Sequence, residues 1–287
     1  MPDIVYLNGQ YIPRAEARVS VEDRAFLFGD GVYEVTRTVR GACIEPARHM
    51  RRLERGVAAL QLPFPPAEAH ALLGISTRLL AECELTDGEA LVYWQVTRGA
   101  ATRTHQFPPA TTPPTVYVSA APFSPPHSYR GTGVAAITVP DQRWARCDLK
   151  TVNLLPNVLA KQAAISAGAY EALLVRDGVV AEGSSTNLFG VIDGQVYTSP
   201  RTNYILPGVT REVVIELAPR VGLTVREEPM FTTDIPRLTE LFVTGTTNDV
   251  MPVVTLDGRP VGDGRPGPVA ARLYAALADH FGLSRGD

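Results

Sequence analysis

The chain has 287 residues, of which 45% are apolar and 20% charged, and its formal net charge at pH 7 is −3. This composition is typical of a globular protein with one or two domains, and so small a charge argues against binding to nucleic acids or anionic membranes. Three widely spaced cysteines argue against a disulfide framework or a metal site. The N-terminus shows no signal pattern and no apolar run reaches the ~20 residues of a membrane span, so we expect a soluble cytoplasmic protein.

The first part of the chain predicts a small unit of strands and helices. Asn8-Gly9 lies between two short apolar runs, which is a strong hairpin signal. The stretch "GVYEVTRTV" at residues 31–39 alternates in polarity and predicts a strand with Tyr33 on one face. Apolar spacings of three and four, and further β-type runs, predict two helices and then two strands, at residues 46–60, 66–83, 90–97 and 115–120.

A proline- and glycine-rich stretch at residues 121–133 is the most loop-like part of the chain. After it the pattern predicts a strand, a helix, two hairpins, a helix, a pair of strands and a last helix, at residues 134–139, 155–169, 171–183, 188–199, 208–223, 240–258 and 266–281. We therefore predict an α+β fold of two domains with mixed sheets and flanking helices. The boundaries we expect are residues 1–121 for the N-terminal domain, 122–131 for the linker and 132–287 for the C-terminal domain.

Only two of the 27 basic residues are lysines, Lys150 and Lys161. A neutral lysine amine is a nucleophile that can form a Schiff base, whereas a guanidinium stays charged at ordinary pH. Most lysines are simply solvated surface charges. A chemical role therefore needs support from the rest of the sequence.

Two stretches offer groups that a cofactor would need. In "ILPGVTREVV", Gly208 and the amides of Val209 and Thr210 would open a helix, which is a site for phosphate or only an ordinary helix cap. In "AEGSSTNLFG", Glu182 follows an apolar strand. It is either an exposed acid at a strand end or a buried acid that needs a partner.

Arginines supply two further candidates. Arg103 and His105 would project to the same side of an extended segment and could clamp a carboxylate, or else lie on a solvated loop. The arginine-rich helix "ARHMRRLERG" could bring one side chain to a phosphate. A lysine, an acid, and a helix N-terminus with an arginine match the needs of pyridoxal 5'-phosphate (PLP), in its aldehyde, pyridine nitrogen and phosphate, and the clamp would hold a substrate carboxylate.

The run from Glu182 to Arg211 resembles the signature of the class IV aminotransferases, which are fold-type IV PLP enzymes. Its parts are "EGSSTNLF", "VYT" and "LPGVTR" at the family's spacings, and "EDRAFLFGDGVYEV" and "RCDLKTVNLLPNVLAKQ" extend the resemblance over nearly the whole chain. Within the family, "TRTHQFP" is similar to the corresponding segment of the bacterial D-amino acid aminotransferases.

The resemblance implies a role for each candidate residue. Lys150 matches the lysine that bonds to the cofactor and later acts as the base, whereas Lys161 matches only a helix position. The other cofactor contacts implied are Glu182 at the pyridine nitrogen, Leu206 behind the ring, and Arg52, Ser185, Val209, Thr210 and Thr246. The binders implied for the substrate α-carboxylate are Tyr33, Arg103 and His105, the last two from the second subunit of a homodimer. Arg51 is an alternative to Arg52, and Gly245 departs from relatives that carry a hydroxyl there.

The activity implied is reversible transfer of an amino group from a D-amino acid, such as D-alanine, to a 2-oxo acid, such as 2-oxoglutarate. The partners implied are therefore these small molecules and a second copy of the chain. A branched-chain or (R)-amine transaminase of the same family is an alternative. An alternative of another class is a non-catalytic protein that binds a phosphorylated ligand on the same scaffold.

Overall fold

The computed structural model describes residues 2–283, and the chain divides into two compact units. Unit 1 comprises the chain up to Ser124 together with the segment Leu149–Leu154. Unit 2 comprises Pro125–Asp148 and the chain from Leu155 onward. The segment that carries Lys150 thus belongs to unit 1 although unit 2 flanks it in sequence. The boundaries and the linker that we expect from the sequence remain a proposal.

Unit 1 is built on an antiparallel sheet of six strands in the order β2-β1-β6-β5-β3-β4. The strands are β1 Ile4–Leu7, β2 Gln10–Pro13, β3 Gly31–Val39, β4 Ala42–Cys43, β5 Glu89–Thr97 and β6 Thr115–Pro122. The helices are α1 Arg24–Phe28, α2 Pro46–Ala59 and α3 Pro66–Glu82. Alternate residues of β5, among them Trp94, pack with Leu53 of α2 and Leu72 of α3 in one apolar core.

Unit 2 contains a nine-stranded sheet in the order β12-β11-β10-β13-β14-β7-β8-β9, with β15 also paired to β14. The strands are β7 Val134–Pro140, β8 Glu171–Arg176, β9 Val179–Gly183, β10 Asn187–Ile192, β11 Gln195–Thr198, β12 Val225–Glu227, β13 Leu238–Gly245, β14 Asp249–Leu256 and β15 Arg259–Pro260. The helices are α4 His127–Thr132, α5 Leu155–Ser166, α6 Val209–Leu217 and α7 Pro268–Phe281. Strand β7 runs parallel to both its neighbours, so this sheet is mixed.

The predicted α+β fold with a mixed sheet is confirmed, and most element boundaries differ from the predicted ones by only a few residues. Three differences have local causes. Helix α4 lies in the stretch predicted as loop, because Pro125 and Pro126 precede its first turn, where no backbone donor is needed. Helix α6 ends at Leu217 and continues as a 3-10 turn around Pro219, which cannot continue the α-helical bonding. Helix α1 has only five residues, too few for a periodic signal.

No helix within residues 2–283 is both long enough and apolar enough to cross a membrane.

Candidate active site

The two lysines have different surroundings. In unit 1 the Lys150 amine lies 4.2 Å from the centre of the Tyr33 ring, and no hydrogen bond or ion pair of this amine occurs within residues 2–283. The backbone of its segment pairs with the start of β3, where the Lys150 carbonyl accepts from the Tyr33 amide at 3.0 Å. In unit 2 the Lys161 amine donates to the Tyr170 carbonyl. Lys150 is therefore the lysine whose amine is available for chemistry.

Arg52 is held by a buried acid of unit 1. Its Nε and Nη2 donate to the two oxygens of Glu34 at 2.7 and 2.8 Å, and His49 Nδ1 lies 2.8 Å from the same carboxylate. Burial alone would raise the pKa of Glu34, but the adjacent Arg52 guanidinium and His49 lower it to about 2. Arg51, next to it on α2, is exposed, whereas Arg52 is partly buried. The structure thus favours Arg52 over Arg51 as an ordered, positioned arginine.

Arg103 and His105 are brought together, but not by an extended segment. The chain bends at both residues, so the extended backbone predicted for this segment is wrong. Both side chains instead lie against the Phe28 ring of α1, with the Arg103 guanidinium 5.2 Å and the His105 ring 5.8 Å from its centre. An aromatic ring attracts a cation at its face and another ring at its edge. Both clamp residues are exposed, as a binding role requires.

Glu182 is a buried acid with a full set of partners in unit 2. It lies at the end of β9 with 4% of its surface exposed, which excludes the alternative of an exposed strand-end acid. Its oxygens accept from Asn187 Nδ2 at 2.9 Å, from the Leu206 amide at 3.1 Å, and from Arg143 Nη1. Burial raises the pKa of Glu182 to about 7, against the opposing effect of Arg143.

Arg143 is a residue that the sequence did not indicate. It binds Glu182 with one nitrogen and Asp141 with another, at 2.9 Å, and the pKa of Arg143 is raised because its two acidic partners outweigh burial. Asp141 also pairs with Arg176 at 3.2 Å. These charges form a buried chain that ends at Glu182. No motif surrounds Arg143, and its partner lies 39 residues away, so no local signal could have identified it.

The start of α6 offers backbone donors next to the Glu182 cluster. Helix α6 begins after Gly208, and none of the described side chains caps it. A Cβ at Gly208 would lie 2.0 Å from Asn187 Oδ1, so only glycine fits. Asn187 Nδ2 also donates to the Leu206 carbonyl at 2.8 Å. A helix N-terminus with uncapped amides, here those of Val209 and Thr210, is suited to a phosphate.

The turn after Glu182 is organised by Glu171, a second residue that the sequence did not indicate. Glu171 is fully buried and accepts from the Ser184 hydroxyl, the Ser184 amide at 3.2 Å and Thr186 Oγ1 at 3.0 Å. Ser185, at the apex of this turn, is exposed between buried neighbours. We refer to residues 183–186 as the serine turn.

A second turn lies beside the serine turn. Thr246 belongs to the turn that connects β13 to β14, and it is half-buried. A Cβ at the preceding Gly245 would lie 3.8 Å from the Ser185 carbonyl and 3.3 Å from Asn248 Nδ2. Gly245, which lacks the hydroxyl, therefore lies where the turn between β13 and β14 meets the serine turn.

Each unit by itself supplies part of the donor set that PLP needs. Unit 1 provides an amine without a described partner at Lys150, an ordered arginine at Arg52 and the Tyr33 ring. Unit 2 groups a buried acid, the backbone around Leu206, an uncapped helix start and two hydroxyl-bearing turns. An amine suits an aldehyde, an acid suits a pyridine nitrogen, and an arginine with amide or hydroxyl donors suits a phosphate. The residues present therefore fit the cofactor.

Comparison with known proteins gives consistent results. A family model described as "Amino-transferase class IV" matches residues 31–256. The chain is 40% identical over 275 residues to a D-alanine aminotransferase of Bacillus licheniformis, with 95% of both chains covered. It is 38% identical over 278 residues to a D-alanine aminotransferase of Staphylococcus aureus (strain MSSA476), with 96% of this chain and 97% of the relative covered.

Solved structures with similar folds include two branched-chain amino acid aminotransferases. The protein from Escherichia coli matches with a TM-score of 0.89 at 26% identity, covering 100% of this chain and 97% of the other. The T.th. protein, in complex with N-(5'-phosphopyridoxyl)-L-glutamate, matches with a TM-score of 0.85 at 30% identity, covering 99% of this chain and 96% of the other.

Proposed function

Since the chain belongs to the class IV aminotransferase family, we propose that it is a PLP-dependent D-amino acid aminotransferase. It would move the amino group of a D-amino acid, such as D-alanine, to a 2-oxo acid, such as 2-oxoglutarate, in two successive half-reactions. The observation that carries this proposal is the 40% identity, over 95% of both chains, to a relative named as a D-alanine aminotransferase. The pairing of Arg103 with His105 on the Phe28 ring suits a substrate with an α-carboxylate, which an amino acid has and a simple amine lacks.

The cofactor supplies an aldehyde for the amino group and a ring that withdraws electrons from the α-carbon. In the proposed reaction the Lys150 amine would hold the cofactor and, once the substrate amine has replaced it, the neutral Lys150 amine would take the α-proton. Glu182 would keep a proton at the pyridine nitrogen. The phosphate end would be held by Arg52, Ser185, Val209, Thr210 and Thr246, and Leu206 would support the ring. Tyr33, Arg103 and His105 bind the α-carboxylate and so orient the α-hydrogen toward the base.

A branched-chain activity is the second candidate, because the similar solved structures reported above are branched-chain aminotransferases. An assay of D-alanine, L-leucine and (R)-1-phenylethylamine, each with 2-oxoglutarate as acceptor, separates the candidates. We expect D-alanine to be the preferred donor. Preference for L-leucine would contradict the proposal.

The direct test of the site uses the two lysines as a matched pair. Lys150→Ala should abolish the visible absorption band of the bound cofactor and all transamination, because the covalent link and the base are lost together. Lys161→Ala should retain both. Borohydride reduction of the wild-type protein followed by peptide mapping should place the pyridoxyl group on Lys150. A pyridoxyl group on Lys161 would overturn the assignment, and no absorption band in the wild type would favour a protein that does not use this cofactor.

We further propose that the chain acts as a homodimer in the cytoplasm, with Arg103 and His105 serving the neighbouring active site. This proposal rests on the family resemblance and on the exposure of both side chains.

A further inference from the structure

Arg24 is a buried arginine that contacts the loop bearing the clamp. Only 3% of its surface is exposed. Its Nε donates to Asp30 Oδ2 at 2.8 Å, and its Nη1 donates to the Thr104 carbonyl at 2.7 Å. Its guanidinium also lies 4.7 Å from the centre of the Phe28 ring. Burying an arginine has a large desolvation cost, which its hydrogen bonds and ion pair have to offset. These contacts therefore hold the Arg24 side chain in one position.

The bond to Thr104 falls between the two clamp residues. Thr104 separates Arg103 from His105, and both of these side chains lie against the Phe28 ring that Arg24 also contacts. Arg24 and Phe28 are four residues apart on α1, so both face the same side of the helix. One short helix therefore supplies a bond to the loop backbone and a ring that both clamp side chains share.

The loop is anchored differently along its length. Its start is held by backbone bonds, from the Arg24 amide to the Gly99 carbonyl at 3.0 Å and from the Ala101 amide to the Glu22 carbonyl at 3.2 Å. For residues 102–106, the bond from Arg24 is the one hydrogen bond that reaches them from outside the loop in the part of the chain that the structure describes. Loss of this bond should free the clamp while the start of the loop stays in place.

We infer that Arg24 is a positioning residue for the carboxylate clamp, fixing Arg103 and His105 through the Thr104 carbonyl and the Phe28 ring. This inference rests on the proposed function. It makes α1 a determinant of substrate class, because substrates with an α-carboxylate depend on the clamp, whereas PLP does not contact it in the proposed roles.

The test compares Arg24→Met and Arg24→Lys with Arg37→Met in the holoenzyme. Arg37 is equally buried, but it binds Glu89 and lies on β3 opposite Leu91, at the other end of β5 from the clamp loop. Both Arg24 variants should raise KM for D-alanine about tenfold or more, with a smaller change in kcat and an unchanged dissociation constant for PLP. Arg24→Lys keeps a charge beside Asp30, so its Tm should fall little, but one amine cannot span Asp30 and Thr104. Arg37→Met should lower Tm without a selective rise in KM.

A double-mutant cycle shows whether Arg24 acts through the clamp. Arg103→Ala alone should raise KM for D-alanine by roughly tenfold to a hundredfold, and adding Arg24→Lys should then change KM little. Additive effects would overturn the inference, as would an unchanged KM in Arg24→Lys or an equal loss of PLP affinity. If the wild-type protein bound PLP but did not transaminate D-alanine, the proposed function would fail before this test began.

Discussion

At the scale of single residues, the chemistry of Glu182 is set by opposing effects. Burial favours its protonated form, while Arg143, Asn187 and the Leu206 amide favour its ionised form. The result is a carboxyl group whose pKa lies at about 7 rather than at the ordinary 4.5. Such a group shares a proton readily with a pyridine nitrogen at neutral pH.

The stability of the cofactor-free protein should depend on this residue. The pKa of Glu182 is raised on folding, so its contribution is complete below pH 4.5 and is lost as pH rises through about 7. A rise from 4.5 to about 7 corresponds to at most about 3 kcal/mol. The stability of the wild type relative to Glu182→Gln, measured by urea unfolding, should therefore fall between pH 4 and pH 8. The lowered pKa of the buried His49 acts in the opposite direction in both proteins and cancels in this difference. Parallel pH profiles for the two proteins would contradict the raised pKa.

At the scale of elements, short turns position the candidate binding groups, and buried acids bind these turns. Glu171 at the start of β8 collects the hydroxyl and amide donors of the serine turn. Gly183 has to be glycine there, because its Cβ would lie 2.1 Å from Thr186 Oγ1. Ser185 is left exposed at the apex, where a phosphate could be bound. Strand β8 thus positions the serine turn through Glu171, and the turn positions the Ser185 hydroxyl.

Weakening this acid should weaken cofactor binding more than folding. Glu171→Gln keeps the shape of the side chain but loses charge-assisted bonds of roughly 1.5–3 kcal/mol each, so we expect the dissociation constant for PLP to rise at least about tenfold. The matched control is Glu240→Gln, since Glu240 is also buried and accepts from the first amides of α7 at 2.9 and 3.0 Å. The control should lower Tm and leave PLP affinity unchanged. Titration of the cofactor-free variants with PLP and their thermal unfolding measure the two effects, and equal effects would show that Glu171 is merely structural.

At the scale of the whole molecule, the two units carry different parts of the chemistry. Lys150, Arg52 and Tyr33 belong to unit 1, whereas Glu182 and the turns belong to unit 2. The segment Leu149–Leu154 brings the lysine to unit 1 by pairing with β3, where Val32 bridges Thr151. The clamp on the Phe28 ring also lies in unit 1 and is exposed. An exposed clamp is what our proposal of a homodimer with shared active sites requires.

Mixed dimers decide whether the clamp serves the neighbouring site. We would co-express a Lys150→Ala chain with an Arg103→Ala chain under different affinity tags and purify the mixed species. If the clamp acts across the dimer, the site that keeps Lys150 also receives Arg103 from the other chain, and about half of the wild-type activity should return. If the clamp acts within its own chain, neither site is complete, and activity should stay at the level of Arg103→Ala or below. A monomeric wild type in light scattering would contradict the homodimer itself.

The sequence by itself determined much about this protein. Hairpin turns, alternating strands and helical spacings predicted the α+β fold, because these signals are local and depend on the backbone and a few neighbours. A long gapped signature identified the family. It singled out Lys150 rather than Lys161 as the reactive lysine, and it singled out Glu182 as the acid. These site assignments stay predictions, although the structure gives Lys150 an available amine and Glu182 a buried, well-bonded position.

Only the tertiary structure revealed the residues that hold the candidate site in place. Arg143 meets Glu182 across 39 residues of sequence, Glu171 meets Ser184 across 13, and Arg24 meets Thr104 across 80. Such contacts leave no periodic pattern, because each depends on two chain segments that packing brings together. The bend at Arg103 and His105 has the same cause: a ring on α1, not the repeat of a strand, places the two side chains. The sequence specifies the groups that do chemistry, and packing decides what positions them and sets their charge.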